Sequence, residues 1–427
     1  MGKVHQIPMK NFRNLLVALT TLLTANFALA QTWTQTSAPI TNWTAIASSA
    51  DGTKLVAVAN NGGGSWASTN SGGIWVSTNS GGTWTQTSAP GSGWVRVASS
   101  ADGSKLAASG KPQLSSTGSF YTSTNAGVTW ISNNVPVAVA SGDSLVSSAD
   151  GCKLAVLSQQ SPPFIGPLFL TSTNSGANWM TNNLPGGIWR SVALSADGTR
   201  LIVAGLGICL STNFGGNWTS TNSLSSEAVS IASSAEGAEL AAICGQLIFV
   251  STNLGMTWVQ TDAPATNWIS IASSADGSRL VAVAGGSSGF LKVYNGPIYT
   301  STNSGATWTS NNVPVQYWSC VASSADGCKL AAACVGDVSP KNPGGTVGGG
   351  IWISQSTPAP QLNIATSNIN LDLSWIVPST NFVLQQSSDL GSWTDMTNTP
   401  VLNLTNLQDE VILSPTGSSV FYRLKTP

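Results

Sequence analysis

One four-residue turn, Ser-Ala-Asp-Gly or a close variant of it, occurs seven times along the chain. The turn acids are Asp51, Asp102, Asp150, Asp197, Glu236, Asp276 and Asp326, separated by 51, 48, 47, 39, 40 and 50 residues. Each of the first six turns is followed by a Ser-Thr-Asn-x-Gly-x-x-Trp segment. A period of about 40–50 residues built from short strands and turns is typical of a β-propeller, in which each repeat forms one four-stranded blade. The sequence therefore predicts an all-β, seven-bladed propeller.

The sixth repeat shows how one blade divides into strands. WISIASS (268–274) predicts the first strand, and an Ala-Asp-Gly turn leads to the second, SRLVAVA (278–284). IYTSTN (298–303) predicts the third, and TWTSNNVP (307–314) predicts the fourth. Asp and Asn side chains bind the backbone two residues on, and glycine adopts positive φ without steric cost. Both turns of the repeat therefore have suitable residues.

The seventh repeat supplies only three strands, at 318–324, 328–334 and 351–356. The segment WTQTSAP (33–39) is identical to the fourth-strand segment at 84–90. We expect it to complete the seventh blade, which would close the ring and remove open sheet edges.

A cation stands three residues after the turn acid in six of the seven repeats. These cations are Lys54, Lys105, Lys153, Arg200, Arg279 and Lys329. The fifth repeat departs from the pattern and has Glu236 followed by Glu239. A charge pair repeated at one offset predicts a solvated turn feature and not a catalytic dyad.

The first thirty residues have the three parts of a secretory signal peptide. They are a basic region with Lys3, Lys10 and Arg13, an apolar stretch from Leu15 to Leu23, and the cleavage motif Ala28-Leu29-Ala30. That stretch is too short to span a bilayer, and no later segment reaches about 18 apolar residues, so we expect no transmembrane segment. The sequence predicts a signal peptide at 1–30 and an exported protein that is periplasmic, on the cell surface or extracellular.

Composition limits the chemistry of the mature chain. It keeps 13 basic and 17 acidic residues, a net charge of −4, and has no basic block, so nucleic acid is not an expected partner. The only histidine, His5, lies in the signal segment. Without histidine there is no imidazole base and no His-containing metal site, and no C-x-x-C motif occurs. We therefore expect neither a metal nor a cofactor.

The six cysteines occupy informative positions. Cys152 and Cys328 hold equivalent places in repeats three and seven, and Cys244 and Cys334 do so in repeats five and seven, so neither pair can form a disulfide. Burial as small apolar residues is one interpretation. In an oxidising compartment Cys320 and Cys334, on the two strands of one predicted hairpin, could pair instead.

The composition changes after the linker Thr357-Pro358-Ala359-Pro360, where the repeat stops. The alternating runs that follow are INLDLSWI (369–376), NFVLQQSS (381–388), VLNLTNL (401–407), EVILS (410–414) and VFYRL (420–424). They predict a small antiparallel β-sandwich at 361–427 after a propeller at 31–357. Such a module is a spacer, a targeting module or an interaction module.

Strand order predicts two unlike faces. Both kinds of turn lie on one face, which we call the turn face. The connections between strands two and three, and those between blades, lie on the opposite, variable face. Long loops are predicted there near 59–73, 108–118, 158–168, 284–297 and 335–349. Almost no loop is present near Gly205–Gly207 or Gly245–Gln246, which predicts a notch at blades four and five, on a face where loops free of folding constraints are suited to binding.

Five tryptophans begin predicted innermost strands, eight residues before the turn acid. They are Trp43, Trp94, Trp189, Trp268 and Trp318. Around the mouth of the central channel their rings could stack on sugars or clamp a peptide. The alternative is that each ring wedges between neighbouring blades. Arg96, Arg190 and Tyr317, beside these tryptophans, are the candidate polar contacts.

STNSGGTW (77–84) and its five counterparts resemble the Asp-box, or BNR, repeat S-x-D-x-G-x-T-W, with Asn at the Asp position. Proteins with such repeats include sialidases, some glucan-cleaving glycosidases, sorting-receptor ectodomains and photosystem II assembly and stability factors. The resemblance covers about 33–356 and implies the propeller fold. The likeness to the photosystem factors implies a protein-binding propeller and brings no catalytic residues.

The likeness to sialidases does not bring their catalytic residues. That family needs three clustered arginines, a tyrosine nucleophile with a glutamate, and an acid/base aspartate. Outside the turns the propeller has only Arg96 and Arg190 as arginines. The acids there are Asp143, Glu227, Asp262 and Asp337.

The function expected from these residues is binding. The sequence predicts a non-enzymatic exported propeller that binds a protein or a glycan through its variable face. The alternative is a carbohydrate-active hydrolase with an atypical residue set. It would use Asp143, Asp337 or Glu227 as acids, because glycoside hydrolysis requires paired carboxylates.

Overall fold

The structure, a computed structural model, describes most of the chain beyond residue 30. The described residues are 31–60, 72–91, 93–111, 119–133, 135, 144–159, 167–221, 224, 226–288, 292–335, 349–357, 361–367, 370–378, 381–414 and 420–426. All regular elements within these ranges are β-strands, numbered here β1 to β35 in chain order.

Seven four-stranded antiparallel sheets form the blades of a propeller, which confirms the predicted fold class. Blade 1 has β2 (Trp43–Ser48), β3 (Leu55–Ala59), β4 (Ile74–Ser77) and β5 (Thr85–Gln86). Blade 2 has β6 (Gly93–Ser99), β7 (Leu106–Lys111), β8 (Ser119–Ser123) and β9 (Ile131–Ser132). Blade 3 has β10 (Ser144–Ser147), β11 (Leu154–Gln159), β12 (Pro167–Ser172) and β13 (Met180–Asn182).

The remaining blades follow the same order. Blade 4 has β14 (Trp189–Leu194), β15 (Leu201–Gly205), β16 (Ile208–Ser211) and β17 (Thr219–Ser220). Blade 5 has β18 (Ala228–Ser233), β19 (Leu240–Cys244), β20 (Leu247–Ser251) and β21 (Val259–Gln260). Blade 6 has β22 (Trp268–Ser273), β23 (Leu280–Ser288), β24 (Lys292–Ser301) and β25 (Thr309–Ser310). Blade 7 has β26 (Tyr317–Ser323), β27 (Lys329–Val335), β28 (Ile351–Gln355) and, from the N-terminal end of the described residues, β1 (Trp33–Gln35).

The ring is closed by the N-terminal strand. β1 pairs antiparallel with β28, with Trp33 opposite Ser354 and Gln35 opposite Trp352. Blade 7 is therefore built from both ends of the propeller segment. Every blade therefore packs between two neighbours, including the first and the last of the repeat.

The first strand of each blade is the innermost, and these seven strands contact one another around a central channel. At the end of the channel on the turn face, the alanine of each turn donates its N–H to the carbonyl of the next blade's alanine, at 2.7–2.8 Å. The last bond, from Ala325 to Ala50, completes the circle. We call this the alanine circle; its members are Ala50, Ala101, Ala149, Ala196, Ala235, Ala275 and Ala325.

The Ser-Ala-Asp-Gly turn is held by its own side chains. In blade 1 the Asp51 carboxylate accepts hydrogen bonds from the Ser49 hydroxyl (2.6 Å) and from the Thr53 N–H (3.0 Å). The Ser49 hydroxyl in turn accepts one from the Lys54 N–H (3.0 Å). This fixes the reversal between β2 and β3 and explains why the same residues recur in other blades.

The Ser-Thr-Asn turn reaches the same face. The Asn79 carbonyl group of the side chain accepts a hydrogen bond from the Thr83 N–H (2.8 Å), while its amide donates to the Thr83 hydroxyl (3.0 Å). The Ser80 N–H donates to the Thr53 carbonyl (2.8 Å), which ties this turn to the Ser-Ala-Asp-Gly turn. Both turns of a blade therefore lie together, as strand order predicts.

The turn cations join neighbouring blades. Lys54 Nζ donates to the carbonyl of Asp102 in the next blade at 2.7 Å, and Lys153 Nζ donates to that of Asp197 at 3.0 Å. Partial burial opposes ionisation of Asp102, but hydrogen bonds from its own turn and the charge of Lys54 together lower the pKa of its carboxyl. The interpretation of acid and cation as a solvated pair within one turn is therefore corrected, since the cation serves the next blade.

Blade 5 breaks this series of links. Glu239 stands where the other blades have a cation, and it lies against Gly277 of blade 6. Partial burial, and then the negative charge of Asp276, raise the pKa of Glu239 above its usual value. The contact between blades 5 and 6 therefore brings together two negative charges, Glu239 and Asp276, whereas the other contacts have a cation at the position of Glu239.

Two sheets form the C-terminal module, as the sandwich prediction requires. One sheet has the order β29 (Asn363–Ser367), β30 (Asn370–Ile376), β34 (Gln408–Leu413), β33 (Val401–Asn403). The other has the order β32 (Thr394–Asp395), β31 (Val383–Ser387), β35 (Phe421–Lys425). Leu373, Trp375, Leu384, Val411 and Leu424 form the core between them. β29 and β32 are additional to the predicted runs.

One local expectation is corrected, and one of two interpretations of the cysteines fits the structure. The predicted long loop near 284–297 is largely strand, because β23 and β24 continue to Ser288 and from Lys292. Cys320 and Cys334 are free, and a bulge sets Cys334 opposite Trp318 instead of Cys320. Burial raises the pKa of the Cys320 thiol to about 11. The disulfide alternative is thus not adopted in this structure.

Candidate functional site

The five channel-mouth tryptophans are buried. Their exposed fractions are 0% for Trp43, 0% for Trp94, 3% for Trp189, 2% for Trp268 and 1% for Trp318. Each packs in a core cluster that contains residues of the preceding blade. Trp268, for example, packs with Ile243 and Ile248 of blade 5, and its ring centroid lies 5.4 Å from that of Tyr299.

A ligand could not stack on these rings unless the blades separated. Their positions instead agree with the alternative interpretation, in which each tryptophan packs between two neighbouring blades. The aromatic platform expected at the channel mouth is therefore not formed by these five residues, because the packing between blades takes up both faces of each ring.

Arg96 lies within the innermost strand of blade 2, β6, and is partly buried. It occupies the position at which four other blades have a serine whose hydroxyl accepts an N–H from the following blade, as Ser191 does from Ile231 at 3.2 Å. Arg96 Nη1 donates to the Val95 carbonyl at 3.0 Å. The positive charge of Arg96, in blade 2, acts on the Cys320 thiol of blade 7. It lowers the pKa of that thiol, but burial raises the same pKa by more.

Arg190 does lie on the rim of the variable face. Arg190 Nε is 2.7 Å from Glu227 Oε1, and the side chains are 47% and 33% exposed. This ion pair joins the start of β14 to the residue before β18, so it bridges blades 4 and 5. An exposed pair of this kind contributes only about 0.2–1 kcal/mol to stability, which leaves both groups available to a ligand.

Three exposed apolar side chains surround the ion pair in sequence and in blade position. Ile188 is 43% exposed, Leu206 is 57% exposed and Val229 is 42% exposed. The Leu206 N–H donates to the Ile188 carbonyl at 3.0 Å, so these two lie side by side. We call Ile188, Arg190, Leu206, Glu227 and Val229 the blade 4–5 rim.

The sequence produces this rim through two short connections. β15 and β16 are joined by Leu206–Gly207, and β19 and β20 by Gly245–Gln246. Gly245 has φ +61°, a left-handed conformation that favours glycine in so tight a turn. The longer connections of most other blades fall largely outside the described residues, so the notch itself stays a prediction.

The other candidate residues are not brought to this rim. Tyr317 is partly exposed at the start of β26 in blade 7, three blades from Arg190. Asp262 is exposed beyond β21, the outermost strand of blade 5. Asp143 and Asp337 lie outside the described residues. Of the acids proposed for a hydrolase, only Glu227 is described, and it is held by Arg190.

Two further features concern ions and membranes. Within the ranges that the structure describes, no three His, Cys, Asp or Glu side chains come together as a possible metal site. The same ranges contain no helix long and apolar enough to cross a membrane.

Sequence reasoning missed the apolar part of the rim. Leu206 sits in a Gly-Leu-Gly turn, and an isolated large apolar residue between two glycines was the available signal. Ile188 directly precedes the inner strand β14, and Val229 lies within the inner strand β18. Apolar residues are expected at such positions, so nothing in the pattern marks these two as exposed.

Comparisons with known proteins agree with this fold. No family model matches the chain, and no curated protein matches it. The solved structures that resemble it include YCF48 bound to D1 peptide, with a TM-score of 0.52 and 16% identity over 77% of this chain and 97% of that one. YCF48 from Cyanidioschyzon merolae has a TM-score of 0.53 and 14% identity over 76% of this chain and 98% of that one.

A glycosidase propeller also resembles the chain. The GH74 xyloglucanase from Xanthomonas campestris has a TM-score of 0.50 and 12% identity, covering 82% of this chain and 54% of that one. These likenesses show the fold. The expected similarity to photosystem-factor and glycosidase propellers is thereby confirmed for the architecture, while identities this low show nothing finer.

Proposed function

We propose that this chain is an exported, non-enzymatic propeller that binds a segment of another protein at the blade 4–5 rim. The observation that carries the proposal is the grouping of exposed Ile188, Leu206 and Val229 with the Arg190–Glu227 ion pair. Exposed apolar groups beside charged ones are suited to a peptide, which offers both kinds of partner.

A protein ligand is favoured over a glycan by the state of the aromatic residues. Sugars are commonly held by exposed aromatic faces, and the five tryptophans nearest the channel mouth are at most 3% exposed. The fold likeness to a propeller whose structure contains a bound peptide is consistent with this choice. The likeness to a xyloglucanase keeps a glycan as the outcome to be tested against it.

The size of the rim sets the expected affinity. Covering apolar surface contributes about 25 cal/mol per Å², and three partly exposed side chains provide only a few kcal/mol before binding costs are met. These three side chains alone therefore cannot give micromolar affinity, about −8 kcal/mol, and a short peptide that binds so tightly must also contact the ion pair and the backbone of the rim.

The test is selection of peptides from a random display library on the mature protein, with an immobilised glycan array as the competing arm. For a selected peptide, Leu206→Asp should weaken binding by about tenfold or more, since it places a charge in the apolar part of the rim. Val128→Asp is the matched control, because Val128 is 70% exposed on the turn face.

Two results would contradict the proposal. One is a selected peptide whose affinity is the same for Leu206→Asp and the wild type. The other is a chain that retains no peptide but binds glycans on the array. Export has its own measurement: expression in a Gram-negative host, followed by N-terminal sequencing, should give a mature chain that begins near Gln31.

A further inference from the structure

The channel narrows at the turn face to the alanine circle. Seven strand spacings of about 4.8 Å close a ring only about 11 Å across between opposite backbones. The thickness of the backbone and of the alanine side chains reduces the opening further. What remains accommodates about one side chain.

A cavity of about 180 Å³ lies at this end of the channel. Its described lining consists of serine, alanine and leucine residues, with no charged side chain. Six of the serine hydroxyls donate to the carbonyl of the following residue, in Ser48, Ser99, Ser147, Ser233, Ser273 and Ser323. Because these donors are already used, the cavity is poorly equipped to recognise a small polar ligand.

The C-terminal module contacts the alanine circle. Ile376, Val377 and Leu407 of the module are partly buried against the alanines, and Leu407 lines the cavity. Leu407 has φ +56°, a left-handed conformation that is unfavourable for a leucine. The Val377 N–H donates to the Leu407 carbonyl at 3.0 Å, which helps to hold this turn.

The propeller side of the contact also departs from its repeat. Where the six serines stand in the other blades, blade 4 has Leu194, which lines the same cavity as Leu407. A leucine from the propeller and a leucine from the module therefore share a space that is otherwise lined by small residues. The one departure from the repeat at this position therefore lies next to the residue that the module contributes to the cavity.

We propose that the C-terminal sandwich is a plug for the propeller of its own chain. Leu407 covers the channel at the alanine circle, so that the channel opens only on the variable face. This assigns the module an intramolecular interaction surface, made of Ile376, Val377 and the turn at Leu407. The assignment does not depend on the ligand proposed above, since it concerns the opposite end of the channel.

The test uses the full mature chain with Leu407→Asp, which sets a charge against the apolar circle. Small-angle X-ray scattering should show the maximum dimension rising by roughly 10 Å, about the radius of gyration of a module of this size, as it swings away. Hydroxyl-radical footprinting should show labelling of Leu194 and Ile376 rising severalfold. Thermal unfolding of the variant checks that the propeller remains folded.

Leu404→Asp is the matched control, because Leu404 lies in the same loop and is 37% exposed outside this contact. It should leave both measurements as in the wild type. Leu407→Ala provides a milder variant with intermediate labelling, should the charged one unfold. The plug is refuted if Leu407→Asp leaves dimension and footprint unchanged, if Leu404→Asp gives the same changes, or if the wild type is already extended.

Discussion

The two faces of the propeller are built from the same strands, yet their connections behave differently. On the turn face the same links recur around the ring: the alanine circle, the side-chain bonds within each turn, and cations that reach the next blade. On the variable face the described connections differ from blade to blade, from two residues in blades 4 and 5 to an extended hairpin in blade 6. Repetition therefore occurs in the links of the turn face, and variation occurs in the connections of the variable face.

The largest expected effect is a loss of stability, and it tests whether the tryptophans near the variable face are buried structural residues. Trp268→Ala should lower the free energy of unfolding by about 3–5 kcal/mol, because it empties a site between blades 5 and 6. Trp268→Phe should cost less, since it keeps most of the packing. Denaturant unfolding monitored by circular dichroism measures both. If Trp268→Ala lost little stability but all ligand binding, Trp268 would instead belong to the binding surface.

The next effect compares glycines on the two faces. Gly103 on the turn face has φ +66°, and an added Cβ would lie 2.8 Å from Lys54 Cδ and 2.9 Å from Lys54 Cβ. Gly103→Ala should destabilise the chain by about 1–3 kcal/mol through strain and displacement of the lysine. Gly186→Ala on the variable face meets nothing within 4 Å and should change stability by less than about 0.5 kcal/mol. Equal unfolding midpoints for the two variants would contradict the difference between the faces.

A smaller effect on stability is expected in blade 5, where Glu239 replaces the turn cation of the other blades. Glu239→Lys restores the cation that the other blades direct at their neighbour, and it removes repulsion from Asp276. Since the site is only partly buried and is screened by solvent, we expect a gain of no more than about 1 kcal/mol in the free energy of unfolding. Glu239→Gln, which removes the charge without adding one, should gain less. A loss of stability in both variants would show that the fifth link is not weakened by charge.

The smallest effect is the pH dependence of that gain. Because the pKa of Glu239 is raised on folding, the folded chain binds this proton more tightly than the unfolded chain. The cost of its charge is therefore full above the folded pKa and disappears below the unfolded value of about 4.3. Denaturant midpoints of Glu239→Gln should exceed the wild type at pH 7 and equal it near pH 4.

The lowered pKa values of Asp51 and Asp102 act in the opposite direction. Their contribution is present above about pH 3.9 and is lost as the pH falls through their lower folded values. That loss occurs in the wild type and in Glu239→Gln alike. The difference between their denaturant midpoints therefore reports the effect of Glu239. A difference that stays constant from pH 4 to pH 7 would be inconsistent with a raised pKa.

Much of the fold could be predicted because it is encoded locally. A turn acid with its serine and glycine specifies a reversal within six residues, and the copy of 84–90 at 33–39 indicates the strand that completes blade 7. The partner of a turn cation could not be predicted in this way. Lys54 lies three residues from Asp51 in the chain, but it binds at Asp102, because side-chain direction is set by how the blades pack.

The site was predicted less well, for a related reason. Trp268 and Arg190 both belong to inner strands, and only the neighbouring blade decides that one is buried and the other exposed. Exposure of Leu206 depends on the absence of a longer loop around it. The contact of Leu407 with the propeller joins two segments that no repeat relates, so the pattern contains no information about it.

The alanine circle has one more consequence. Its hydrogen bonds all run in the same rotational sense, and a closed loop of donors and acceptors has no terminus. A helix leaves unsatisfied groups at both ends and so carries a dipole along its axis, whereas dipoles arranged head to tail around a circle cancel. Adding or deleting one repeat would change the circumference of this loop, and with it the width of the opening against which Leu407 packs.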